Sequence, residues 1–139
     1  MSTGPPRPGA RSGSPFEEAF GFRRAVAVDG RVVVSGTAPI EPDGGCAEGA
    51  GAQARRCLAI IAEALRELGA APADVVRTRM YIVDPEDAEA VGRAHLDAFG
   101  EARPAATMVV VAGLLDPRWR VEIEAEAEVS RPGAAAPPG

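Results

Sequence analysis

The nine residues Val121–Val129 constrain this chain more than any other stretch, because they alternate strictly between apolar and acidic side chains. A period of two is the signature of a β-strand, whose successive side chains point to opposite sheet faces. Val121, Ile123, Ala125, Ala127 and Val129 therefore share one face, and Glu122, Glu124, Glu126 and Glu128 share the other. Such a strand fits a sheet with one buried side. Four like charges on its other side repel unless cations sit across from them. The second long strand, Val75–Val83, offers Arg77 and Arg79 on the face it shares with Val75, Tyr81 and Val83. Val76, Thr78, Met80 and Ile82 form its other face.

Shorter signals fill in the remaining elements. Arg23–Val28 and Val32–Thr37 are apolar runs joined through Asp29-Gly30, a tight-turn dipeptide, and predict a hairpin. Ala38–Ala50 is rich in Pro and Gly and predicts a loop. From Gly51 to Leu68 the apolar residues recur at three- and four-residue steps, which predicts an amphipathic helix stopped by Gly69. Asp84-Pro85 opens a second helix that reaches about Phe99, with Asp84 as its N-cap. Thr107–Ala112 reads as a third apolar strand, and Gly113–Arg120 as a loop. The order β-β-α-β-α-β-β predicts one mixed sheet with two helices on one face. The opposite face mixes apolar residues with Arg and Glu and is too apolar to lie wholly in water, so other subunits are expected to cover it.

With 139 residues the chain holds one domain, expected over residues 16–130 between disordered tails at 1–15 and 131–139. A net charge of −5 opposes nucleic-acid binding, which needs clustered cations. All 15 basic residues are Arg, so lysine Schiff-base chemistry is excluded. No run is long and apolar enough to cross a membrane, and the N-terminus lacks a secretory core, so a cytoplasmic protein is expected. Cys46 and Cys57 form no metal-ligand pattern and read as reduced thiols; neither a metal nor a cofactor is expected. His95, the single histidine, reads as a helix-surface or half-buried residue.

Five segments in this order resemble the Rid family of reactive-intermediate (enamine/imine) deaminases, of YjgF type. They are Val32–Gly36, which ends in Ser-Gly; Ala52–Leu58; Val75–Tyr81; Pro104-Ala105; and Val121–Ala125. The resemblance covers roughly Ser14–Val129. It implies a chorismate-mutase-like α+β fold and a homotrimer with a cleft at each subunit boundary. In such clefts an enamine or imine such as 2-aminoacrylate is hydrolysed to a keto acid and ammonia. An Arg clamps the substrate carboxylate and a Glu handles water.

By that resemblance Glu122 is the catalytic residue. Phe22, Arg24, Ser35, Gly36, Ala106, Thr107, Met108, Trp119 and Arg120 are candidate substrate-binding residues. The chain departs from the pattern where Pro-Ala-Arg reads Pro104-Ala105-Ala106, because a methyl group cannot grip a carboxylate. Phe22 stands where a Tyr is usual, and Gly92 where an Asn is usual. Arginine-lacking relatives form subgroups, and this chain resembles those. Arg24, Arg118 and Arg120 are candidates to replace the clamp, each with the plain alternative of a solvated surface charge. Trp119 reads either as an aromatic lid over the cleft or as a hydrophobic plug at a subunit boundary. Glu122 itself reads either as a base or as one rung of a ladder paired to arginine. The expected activity is an imine or enamine hydrolase, or a tautomerase, acting on a small metabolite other than 2-aminoacrylate. The alternative is a non-catalytic trimeric ligand-binding or assembly module.

Overall fold

The strand predicted from Val121 onward is the hub of one six-stranded sheet in the computed structural model, which describes residues 7–12 and 14–129. In chain order the elements are β1 (Gly9–Ala10), α1 (Pro15–Phe20), β2 (Ala25–Val28), β3 (Arg31–Thr37), α2 (Ala50–Glu67), β4 (Val75–Ile82), α3 (Ala88–Phe99), β5 (Ala105–Val110) and β6 (Val121–Glu128). Across the sheet they run β1-β2-β3-β6-β4-β5. The β4–β5 pair is parallel, joined by the crossover through α3, and the other pairs are antiparallel. The architecture is α+β, as expected.

Local chemistry explains most boundaries. Asp29 and Gly30 both take positive φ, 48° and 79°, which a two-residue hairpin turn between β2 and β3 requires. Gly69, at φ 83°, closes α2 in the left-handed region. Asp84 accepts a hydrogen bond from the Glu86 amide and caps a 3₁₀ turn at Pro85–Asp87 that leads into α3.

The core lies between the sheet and the two long helices. From α2 it takes Ala54, Cys57, Leu58, Ile61, Ala64 and Leu65; from β6 it takes Val121, Ile123, Ala125 and Ala127. From α3, Val91, Ala94 and Phe99 join it. His95 Nε2 lies 2.8 Å from Thr78 Oγ1, and its ring packs edge-on against Phe99. Burial lowers its pKa, so the single histidine is a half-buried partner of the core threonine. No described helix is long and apolar enough to cross a membrane.

Three expectations need correction. The segment taken as an N-terminal tail contains β1 and the start of α1, and the Ala27 amide donates to the Pro8 carbonyl at 2.9 Å. Residues 1–6, 13 and 130–139 lie outside the described residues, and with them the expected C-terminal tail. The face assignment at the start of β4 is reversed by a register shift between Val75 and Arg77: Val75 is buried and Val76 is exposed. Finally, the strand expected at Thr107–Ala112 spans Ala105–Val110 and lies largely exposed at the sheet edge.

Ile61 is fully buried between α2 and the sheet. Ile61→Ala is expected to destabilise the fold by about 3 kcal/mol, through lost transfer energy and an unfilled cavity, measured as a lower urea midpoint at unchanged slope.

Candidate functional site

The open face of the sheet carries the four glutamates of β6, and their neighbours divide them. Arg79 Nη1 meets Glu124 Oε1 at 3.3 Å, and the Tyr81 hydroxyl donates to the same oxygen at 2.7 Å. Arg31 Nη2 meets Glu126 Oε1 at 3.2 Å. Arg79 is thus a partner foreseen for the ladder, whereas Arg77 lies opposite Glu126 in register and the ion pair goes to Arg31. Among the described residues nothing donates a hydrogen bond to Glu122, which is half-buried.

β3 makes room for this unpaired rung. Its register against β6 shifts between Val34 and Thr37, and Gly36 sits in the irregularity. A Cβ at Gly36 would lie 2.5 Å from Glu122 Oε2, so the carboxylate occupies the space that a side chain there would fill. Arg24 braces the same point: its Nη2 donates to the Gly36 carbonyl at 2.8 Å. Its guanidinium lies 5.9 Å from the centroid of the Phe22 ring. Phe22, Arg24, Gly36 and Glu122 are therefore one cluster.

Burial pushes the Glu122 carboxyl above its ordinary range; the charge of Arg24 opposes that shift and the neighbouring Glu124 adds to it. Cys57, fully buried beneath, has its thiol pushed up to about 12, by burial first and then by Glu122. Such a thiol stays protonated and is not a nucleophile. Among the described residues no cluster of His, Cys, Asp and Glu could hold a metal.

The other expected site residues lie elsewhere or face inward. Ser35 donates its hydroxyl to the Arg23 carbonyl at 2.7 Å, an ordinary backbone bond at a strand end. Arg120 does not turn toward Glu122: its guanidinium pairs with Asp87 at 2.8 Å and with Asp84 at 3.7 Å. Arg118 is held by Asp116. Trp119 is only 9 % exposed, so it is a plug and not a lid. Ala106 lies opposite Thr78 and Met108 opposite Met80, on the helix-facing side, while Thr107 lies beside Arg79 on the glutamate side. Glu122, Tyr81 and Val109 share one row across the sheet. Ala106 is two strands over and three residues along from Glu122, roughly 14 Å away at standard strand spacings. One chain does not bring them together.

Two neighbours escaped the sequence reading. Glu17 is buried in α1, where the backbone amide and hydroxyl of Ser12 hold its carboxylate, and its charge acts on Arg24. It sits at the edge of a stretch read as tail, with no periodic signal around it. Tyr81 was legible as a face-mate of Arg79, but its register with Glu122 comes from pairing alone.

Gly36→Ala should therefore leave the fold within about 1 kcal/mol of the parent, because the atom it meets ends a flexible side chain, yet displace the Glu122 carboxylate. An unchanged Glu122 side-chain carbonyl resonance in the variant would contradict this.

A family model described as Endoribonuclease L-PSP matches residues 14–129. An uncharacterized protein of Streptomyces coelicolor is 42 % identical over 118 residues, which covers 84 % of this chain and 88 % of that protein. The crystal structure of a Mycobacterium tuberculosis member of the YjgF/YER057c/UK114 family is 44 % identical, with a TM-score of 0.82, over 89 % of this chain and all (100 %) of that one. A Yersinia pestis protein described as one of the conserved Rid protein family is 29 % identical, with a TM-score of 0.75, over 86 % and 93 % of the two chains. The chain belongs to the family of that L-PSP model, the YjgF/YER057c/UK114 or Rid family.

Proposed function

We propose that this protein hydrolyses or tautomerises a small imine, enamine or carbonyl metabolite at Glu122, in a cleft completed by a neighbouring copy of a homotrimer. The observation that carries this is the unpaired Glu122: two other rungs of the ladder have ion-pair partners, and this one is half-buried against Gly36 with its carboxyl pushed up. Membership of the family supports small-metabolite, imine-related chemistry. A second copy is called for by the separation of Ala106 from Glu122, and by the apolar edge strand, where Val109 and Val110 are 40 % and 54 % exposed. The two free thiols fit a reducing, cytoplasmic compartment.

The chemistry follows from a carboxylate beside an electrophilic carbon. Glu122 accepts a proton from water as the water oxygen bonds to the imine carbon and the C=N pair moves onto nitrogen. That proton passes to nitrogen to give a carbinolamine. Glu122 then takes the hydroxyl proton and delivers it to nitrogen as the C=O bond forms and the C–N bond breaks, so a carbonyl compound and ammonia leave. Ala106 offers no donor, so a substrate that relies on an arginine clamp there loses a few kcal/mol of binding, or about 10²-fold or more in rate. The substrate is accordingly one other than 2-aminoacrylate. Although the family model carries an endoribonuclease description, the net charge of −5 and the row of glutamates on the open face weigh against a phosphate-backbone ligand. The second reading, a trimeric binding or assembly module without turnover, is favoured by the methyl group of Ala106.

Ammonia release decides between the two. With enzymatically generated carboxylate-free imines it should exceed the buffer rate, while 2-iminopropanoate should be turned over poorly. Glu122→Gln should lower the rate about 10²-fold. No acceleration with any imine would leave only the binding module. Since the reactive form is the carboxylate and burial raises its pKa, the rate should fall with acid already above the ordinary carboxylate range.

Stability should move the opposite way. A raised carboxyl pKa costs the fold nothing below its unfolded value and the full amount above its folded value. Glu122→Gln should thus raise the melting temperature at neutral pH and leave it unchanged below about pH 4.

A further inference from the structure

We infer that the groove between the N-terminal segment and the outer side of α2 is a second site, for a small monoanion with a short apolar body, and that Arg24 couples its occupancy to Glu122. The groove has a volume of about 870 Å³, within the range that holds small metabolites. Ala38, Ile40, Ala59 and Ile60 give it apolar walls, and Arg24 and Arg56 line it with charge. Glu122, Phe22 and Gly36 do not line it, so it shares only Arg24 with the site above.

Most charges around the groove are already satisfied. Arg56 donates to the Ile40 carbonyl at 2.9 Å and meets Glu41 at 3.6 Å. Arg66 pairs with Glu63, and Arg11 approaches Glu18 at 4.0 Å. Arg24 is the exception. Among the described residues it makes no ion pair, its one hydrogen bond goes to the neutral Gly36 carbonyl, and its buried Nε has no partner. The nearby carboxylate of Glu17 is taken by Ser12. Burying a guanidinium with no carboxylate in direct contact is costly, and the Phe22 ring compensates only in part. Consistent with that, burial lowers the Arg24 pKa despite the opposing charges of Glu17 and Glu122. A ligand carboxylate beside Arg24 in the groove would supply a counter-charge to the guanidinium without reaching its buried Nε, and an alkyl body would cover the apolar wall. A dianion is disfavoured, because Glu63 and Glu67 line the same groove.

Coupling follows from the position of Arg24. Its charge opposes the upward shift of Glu122, so an anion that neutralises it should push Glu122 higher still. This second site stands whether or not Glu122 turns anything over.

Titration of the full chain with hexanoate and with hexanamide, followed by calorimetry and amide NMR shifts, tests the site. Hexanoate should bind saturably and hexanamide about tenfold more weakly or worse. Arg24→Gln should weaken hexanoate about tenfold or more, and so should Ala59→Trp, which fills the groove from an exposed helix position. Glu122→Gln should retain hexanoate binding, and bound hexanoate should move the Glu122 titration to higher pH. Equal binding of acid and amide, no saturable binding, or hexanoate binding that survives Ala59→Trp would overturn the inference. Loss of binding in Glu122→Gln with retention in Ala59→Trp would assign the anion to the Glu122 site and overturn it as well.

Discussion

Strand β6 is hydrogen-bonded on both sides, to β3 and to β4, and the rest of the molecule depends on its side-chain alternation. Its apolar residues form the floor on which α2 lies, and its glutamates point away from that floor. A slip of one residue would exchange the two sets, burying four carboxylates beneath a helix, so the register has a single acceptable value. The arginines and the tyrosine of the neighbouring strands reinforce it from the charged side, where Arg31, Arg79 and Tyr81 hold Glu126 and Glu124. These partly exposed pairs add little to stability on their own. Their effect is to neutralise a row of like charges that would otherwise strain the centre of the sheet.

The candidate site is the place where this order lapses. β3 breaks register beside Glu122, Gly36 occupies the break, and the carboxylate fits where a side chain would stand. Arg24 then anchors the bulge through the Gly36 carbonyl and leaves its own charge without a carboxylate partner. An unpaired acid, an under-compensated cation and a strand irregularity within one cluster depart from the packing rules that the rest of the sheet obeys. Departures of this kind concentrate where a protein handles ligands.

Most of the fold was legible because its signals are local. The turn at Asp29-Gly30, the stop at Gly69, the N-cap at Asp84 and the stripe on α2 each rest on a few adjacent residues. The errors fall where distant contacts override a local pattern. β1 is only two residues long and exists because β2 offers it an edge. Val75 turns inward because pairing with β6 shifts register there. Arg120 shares parity with Glu122 in the sequence, but it precedes β6, and Asp84 and Asp87 at the start of α3 capture its guanidinium. Trp119 looked equally able to cover a cleft or fill a gap, and its burial decides for the gap.

Taken alone, the amino-acid order determines the alternation of β6, the amphipathic helices and the turns. These are properties of residues close in the chain, and side-chain period and backbone preference suffice to read them. Tertiary structure alone decides that Glu122 is half-buried without a partner while the other unpaired rung, Glu128, is exposed, that Arg24 stands between Glu17, Glu122 and a groove, and that Ala106 lies two strands from Glu122. Charges compensate one another through space, and the spacing of strands from far-apart segments is set only when the sheet assembles.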